Sequence, residues 1–228
     1  MNIMRDSIFI LISLSTFIFS ACSAEKSETW EIDNLKEIGG HGVTVYGDPE
    51  VVETEIGRAV YFDGDGDMLL VDRNPIGEAE DFTVEVVFKP TSSYPENITP
   101  RFIHIQDPDD EDQKRLMIEL RINEHNQCYL DGYMHTDTMN LVLMDDKLLH
   151  PTNQWLHASI TYENGVMTTY MNGNKQLSGQ IGYSDIMINP IGKVAIGGRM
   201  NHIHWYNGLI KTLKVTHAAL EPEDFLDY

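Results

Sequence analysis

From Gly42 onward, short runs of β-branched and aromatic residues recur between clusters of Gly, Pro, Asn and Asp. They are Val43–Tyr46, Ala59–Phe62, Met68–Val71, Phe82–Phe88, Phe102–Gln106, Leu116–Ile122, Leu156–Tyr162, Val166–Met171, Val194–Ile196 and Leu209–Val215. Short segments at this spacing predict the antiparallel strands of a sandwich or barrel. Asn164-Gly165 and Asn172-Gly173 supply the positive φ angles of type I′ turns, so three successive strands form a meander. There is no internal repeat and no second composition regime, which points to one domain over 42–228. Pro222, followed by Glu223 and Asp224, predicts a short closing helix.

Period-two alternation assigns faces. Phe82, Val84, Val86 and Phe88 form a core set, which puts Thr83, Glu85, Val87 and Lys89 outside. Leu116, Ile118, Leu120 and Ile122 form another, leaving Arg115, Met117, Glu119 and Arg121 on the far face. Ile103 and Ile105 look inward, with Phe102, His104 and Gln106 outward. If the exposed sets share one sheet, Glu85, His104, Gln106, Glu119 and Arg121 line a groove containing acid, base, cation and amide. Tyr133, His135, Arg199, His202, His204 and Tyr206 fall in segments that rim it. Aromatic faces beside planar donors suit sugar rings, which present apolar C–H faces and hydroxyls.

The N-terminus follows a different pattern. Ile8–Phe19 is a dense apolar run of twelve, which as a helix rises only about 18 Å, short of a hydrocarbon core of about 30 Å. It reads as the hydrophobic region of a signal peptide over 1–21. Ser20-Ala21-Cys22 resembles the lipobox of bacterial lipoproteins. That resemblance implies an acylated Cys22, a polar tether over 22–41 and a chain anchored to a bacterial membrane, outer membrane or cell surface, through lipid alone. Cys128 is then left without a partner, so no disulfide holds the fold.

Composition narrows the partners. The chain has 228 residues with 36 acidic and 16 basic side chains, a formal charge of −20, which excludes nucleic acid as the main partner.

Four stretches in order resemble the laminin G-like, concanavalin A-like jelly-roll family: Ala59–Gly64 with Asp67, Phe82–Pro90, Trp155–Tyr162 with its turn and Tyr170–Gly173, and Ile196–Gly198 leading to Asn207–Ile210 and Leu220–Phe225. The resemblance implies an all-β fold of two antiparallel sheets, with sugar or calcium at a sheet face or rim. His157, in the family's Trp-x-His pattern, reads as structural. The turn carrying Asp63 and Asp65 is compatible with a structural calcium, although Lys211 stands where the family has Asp. His202 and His204 alternate but lack a third zinc ligand.

Three functions follow. One is a surface-anchored lipoprotein that captures polysaccharide for degradation. Another is a polysaccharide lyase: Glu119-Leu120-Arg121 resembles the Glu-Leu-Arg of jelly-roll alginate lyases, and His104-Ile105-Gln106 holds their His and Gln in reversed order. That resemblance gives Arg121 and Gln106 a uronate carboxylate to neutralise and gives His104 or Tyr133 the proton. A hydrolase would use Glu85 with Glu119 as its carboxylate pair. The third is a protein-adhesion module.

Overall fold

The computed structural model describes residues 26–77, 79–92, 94–107, 109, 114–137, 139–181 and 192–228. The signal segment, Cys22 and the first part of the expected tether lie outside them. In chain order the strands begin with β1 (Ser27–Glu31), β2 (Glu37–Ile38), β3 (His41–Tyr46), β4 (Glu50–Thr54), β5 (Gly57–Asp63) and β6 (Met68–Val71). They continue with β7 (Phe82–Pro90), β8 (Arg101–Gln106), β9 (Arg115–Ile122), β10 (Gln127–His135), β11 (Asn140–Met144) and β12 (His150–Pro151). The last are β13 (Leu156–Glu163), β14 (Val166–Met171), β15 (Asn174–Gln180), β16 (Lys193–Ile196) and β17 (Asn207–Thr216).

They form two antiparallel sheets packed as an all-β jelly-roll sandwich. The eight-stranded sheet runs β15-β14-β13-β7-β17-β5-β4, and β1 also pairs with β17. The nine-stranded sheet runs β11-β10-β9-β8-β16-β6-β3-β2, with β12 added against β10. Both Asn-Gly turns form as expected: Asn164 and Gly165 have φ of 49° and 79°, Asn172 and Gly173 51° and 72°, and each joins neighbours of the β13-β14-β15 meander.

The alternating sets of β7 and β9 meet in the core, where Phe82, Val84, Val86 and Phe88 face Leu116, Ile118 and Leu120 across one hydrophobic cluster. The sheets approach closely at Gly132 of β10, where a Cβ would lie 2.6 Å from Cγ2 of buried Thr169. Because that threonine rotamer is stiff, Gly132→Ala is expected to cost about 1–3 kcal/mol through overpacking. A lowered urea midpoint at unchanged slope checks this.

Four expectations are corrected. The polar stretch read as tether contributes β1, whose register with β17 runs Ser27↔Thr216 to Glu31↔Thr212 and buries Trp30 beside Ile32. The closing helix is only a 3₁₀ turn, Pro222–Asp224. Phe102 lies in the core together with Ile103, because the pairing of β8 with β9 slips between Arg101 and Ile103. Tyr206, expected on a ligand rim, is buried between the sheets: its ring packs 5.4 Å from Phe102 and 6.3 Å from Phe62, and its hydroxyl donates to Leu209 O at 3.2 Å. A buried phenol needs that acceptor, and burial pushes its pKa up.

Candidate functional site

The outer face of the nine-stranded sheet is organised around β9. Its outward residues Arg115, Met117, Glu119 and Arg121 stand opposite His135, Tyr133, Asp131 and Tyr129 of β10. On the other side, Gln106, His104 and Arg101 of β8 stand opposite Arg115, Met117 and Glu119. β11 extends the surface, with Val142 opposite Tyr133 and Met144 opposite Asp131, 44% and 50% exposed. This face therefore unites His104, Gln106, Glu119, Arg121, Tyr133 and His135, as the alternation predicts for β8 and β9.

Charge is concentrated at its centre. Glu119 and Asp131, directly opposed, are only 2% and 1% exposed. Arg121 Nε donates to Asp131 Oδ2 at 2.8 Å, and its Nη2 lies 3.5 Å from Glu119 Oε2. Arg101 Nε approaches Glu119 Oε2 at 3.2 Å. Burial raises the Glu119 pKa, with Asp131 adding to the rise and both arginines opposing it. Arg115 Nη2 donates to the Tyr133 hydroxyl at 3.1 Å and its guanidinium lies 5.0 Å over the Tyr133 ring, a cation–π contact, while its Nη1 lies 3.5 Å from His135 Nδ1. Arg101 and Asp131 are members of this network that the sequence reading did not nominate. Asp131 was findable, since Cys128, Leu130 and Met134 alternate in the core; Gly132 in place of an apolar residue obscured the pattern.

His104 is 1% exposed, and its Nδ1 accepts the Met200 N–H at 3.1 Å. An accepting Nδ1 places the ring proton on Nε2. Burial, followed by the charges of Arg199 and Arg115, lowers its pKa to about 3. The ring is therefore neutral at physiological pH and a weak base.

The segment after β16 crosses over β8. An isolated bridge joins Arg199 to Ile203, and Arg101 N–H donates to His204 O at 3.0 Å. His202 and His204 have φ of 60° and 59°, so they sit in a left-handed loop rather than on one strand face. His202 packs edge-on to Tyr46 at 4.6 Å, and His204 Nδ1 lies 3.1 Å from Thr99 Oγ1. Gly198 admits the Trp205 ring against its backbone, since a Cβ there would lie 2.7 Å from Cε3. Trp205 and His204 then wall a cleft of about 550 Å³ with Asp65, Asn97 and Thr99.

The acidic turn is built from its own backbone donors. Asp67 accepts from Asp48 N–H at 2.7 Å and Asp63 N–H at 3.0 Å, and Asp63 accepts from Asp65 N–H at 2.7 Å. Among the described residues no three metal-ligating side chains converge. Asp63 Oδ1 and both Asp67 oxygens thus hold the turn through backbone donors.

Glu85 is also corrected. It lies on β7 in the opposite sheet, fully buried, with His157 Nε2 at 3.2 Å and Lys214 Nζ at 3.2 Å. It also accepts the Leu226 N–H at 2.6 Å. Burial alone would raise its pKa; these partners outweigh it and hold the carboxyl below the usual value. The C-terminal residues cover it, with Phe225 and Tyr228 5.9 Å and 5.5 Å from the His157 ring. Glu85 and Glu119 thus face away from each other on separate sheets, so no hydrolytic carboxylate pair forms between them.

Fold and face together define a concanavalin A-like jelly roll with a charged, aromatic outer surface on one sheet. The chain belongs to the concanavalin A-like lectin/glucanases superfamily: the Laminin_G_3 family model matches residues 62–224. Among solved structures, domain 4 of AbnA, a GH43 extracellular arabinanase from Geobacillus stearothermophilus in complex with arabinotriose, is similar at 19% identity and TM-score 0.65, over 87% of this chain and 96% of that one. The receptor binding domain of botulinum neurotoxin C/D mosaic serotype is similar at 16% identity and TM-score 0.65, over 87% of this chain and 49% of that one. The heptameric SAP-like pentraxin of Limulus polyphemus is similar at 17% identity and TM-score 0.56, over 72% and 77% of the two chains. No curated protein matches the chain. At these identities the likeness establishes the fold.

Proposed function

We propose that this protein is a carbohydrate-binding module that holds a polysaccharide on the outer face of its nine-stranded sheet, tethered to a bacterial membrane through an acylated Cys22. The observation that carries the reading is the grouping on adjacent strands of Tyr129 and Tyr133, exposed Val142 and Met144, and a guanidinium–carboxylate network. Tyrosine rings and an apolar strip suit the C–H faces of sugars, and planar charged groups suit their hydroxyls. The arabinotriose bound to the similar arabinanase domain lends this support.

Binding is favoured over β-elimination by the state of His104. A sealed imidazole with a pKa of about 3 holds almost no proton at neutral pH and is a poor acceptor for a sugar C–H proton. The test is retention on a panel of immobilised plant, algal and microbial polysaccharides. Tyr133→Ala is expected to weaken binding about tenfold, a loss of about 1.4 kcal/mol, with the fold intact by circular dichroism. A wild-type chain that binds no member of the panel overturns the proposal.

A further inference from the structure

The arginines of this face are unequally employed. Four of the chain's seven arginines lie on it, in a protein with 36 acidic side chains, so the local charge runs against the global one. Arg101 and Arg121 are engaged by Glu119 and Asp131. Arg199 makes no direct ion pair and no side-chain hydrogen bond among the described residues, and feels Glu119 only at longer range. It is nevertheless half-buried and close enough to Arg101, Arg115 and His104 to be felt electrostatically by each.

Desolvation and the charge of Arg115 work against the Arg199 guanidinium, Glu119 and Tyr133 offset them only in part, and an anion in direct contact would restore the balance. His104, tied through Nδ1 to Met200 N–H, carries its proton on Nε2 beside Gln106 and stays neutral beneath the Arg199 loop, so it adds no charge of its own to the patch. Guanidinium groups match the paired oxygens of a carboxylate or sulfate, whereas neutral hydroxyls gain less from them.

We infer that Arg199, held by its loop over β8 beside Arg101 and Arg115, forms a subsite for an anionic substituent on the bound glycan, a uronate carboxylate or a sulfate ester. The inference rests on the glycan-binding reading and names the substrate class of that face. The acidic body of the protein then disfavours anionic polymers everywhere except at this patch.

The experiment is affinity electrophoresis of the full chain, wild type and Arg199→Gln, in gels containing dextran, dextran sulfate, polygalacturonate, or polysaccharides of the immobilised panel. The expected result is tighter binding to charged than to neutral polymers, weakening as salt rises, with the charged-to-neutral ratio falling at least tenfold in Arg199→Gln. The sulfate and uronate gels separate the two sources of the anion. Arg199→Lys, which keeps charge but loses the planar fork, is expected to fall between. If neutral polymers are retained and the ratio is the same in wild type and Arg199→Gln, the subsite is overturned while glycan binding stands. If no polymer in any gel retards the wild-type chain, the glycan-binding reading is overturned and the subsite with it.

Discussion

Arg121→Met is expected to destabilise the protein by about 3–5 kcal/mol at pH 7, the cost of leaving a buried charge without its partner. Glu119 and Asp131 are opposed across β9 and β10, and both are essentially out of solvent. Arg121 reaches both of them, while Arg101 reaches only Glu119 among the contacts of this cluster. Without Arg121, two carboxylates face each other across a strand spacing of about 5 Å, a separation at which both resist ionisation together. The variant should therefore regain stability as pH falls towards 5 and one of the two takes up a proton. Adding Asp131→Asn to Arg121→Met is expected to recover most of the loss at pH 7. Urea unfolding at both pH values checks the sign and the rescue. A single variant within 1 kcal/mol of wild type at pH 7 would mean the cluster is not the buried network described.

The second large effect is an acid sensitivity carried by one imidazole. His104 titrates at about 3 in the folded protein against 6.5 for an exposed histidine. Below pH 6.5 the unfolded chain binds a proton that the folded state resists. Stability is therefore complete above pH 6.5, declines as pH falls towards 3, and levels off below that. At about 1.4 kcal/mol per pKa unit, the full loss is on the order of 5 kcal/mol. His104→Gln offers a carbonyl to Met200 N–H and cannot take up a proton in this range. Its stability relative to wild type should improve steadily from pH 7 to pH 4. Parallel stability curves for the two proteins would refute this assignment.

How much of this could be read from residues alone differs by element. Alternation in β7 and β9 identified the core sets, and Asn-Gly identified the meander, because period two and positive φ are local properties. Which sheet a strand joins is not local. Glu85 is outward on β7 as expected, yet β7 pairs with β13 and β17, so its outer face looks away from β9 and is closed over by the C-terminal residues. A slipped register in β8 moved Phe102 inside, and a bulge of that kind leaves no mark in a pattern of alternation. Tyr206 lies beside two left-handed histidines in a stretch that reads as loop, and only tertiary packing puts its ring between the sheets. The segment Ser27–Glu31 looked like tether because one face of an edge strand is polar; Trp30 and Ile32 are the residues that anchor it. The guanidinium network was half legible: Arg121 and Glu119 came from alternation, whereas Arg101 and Asp131 required the register.

The most direct test of the glycan-binding face is amide chemical-shift mapping of the full-length protein with an oligosaccharide from the best-binding polymer. Perturbations concentrated in 101–106, 115–121, 129–135 and 199–205 are the predicted result. Perturbations confined to the opposite sheet, around Glu85, His157, Asn172 and Phe225–Tyr228, would contradict it.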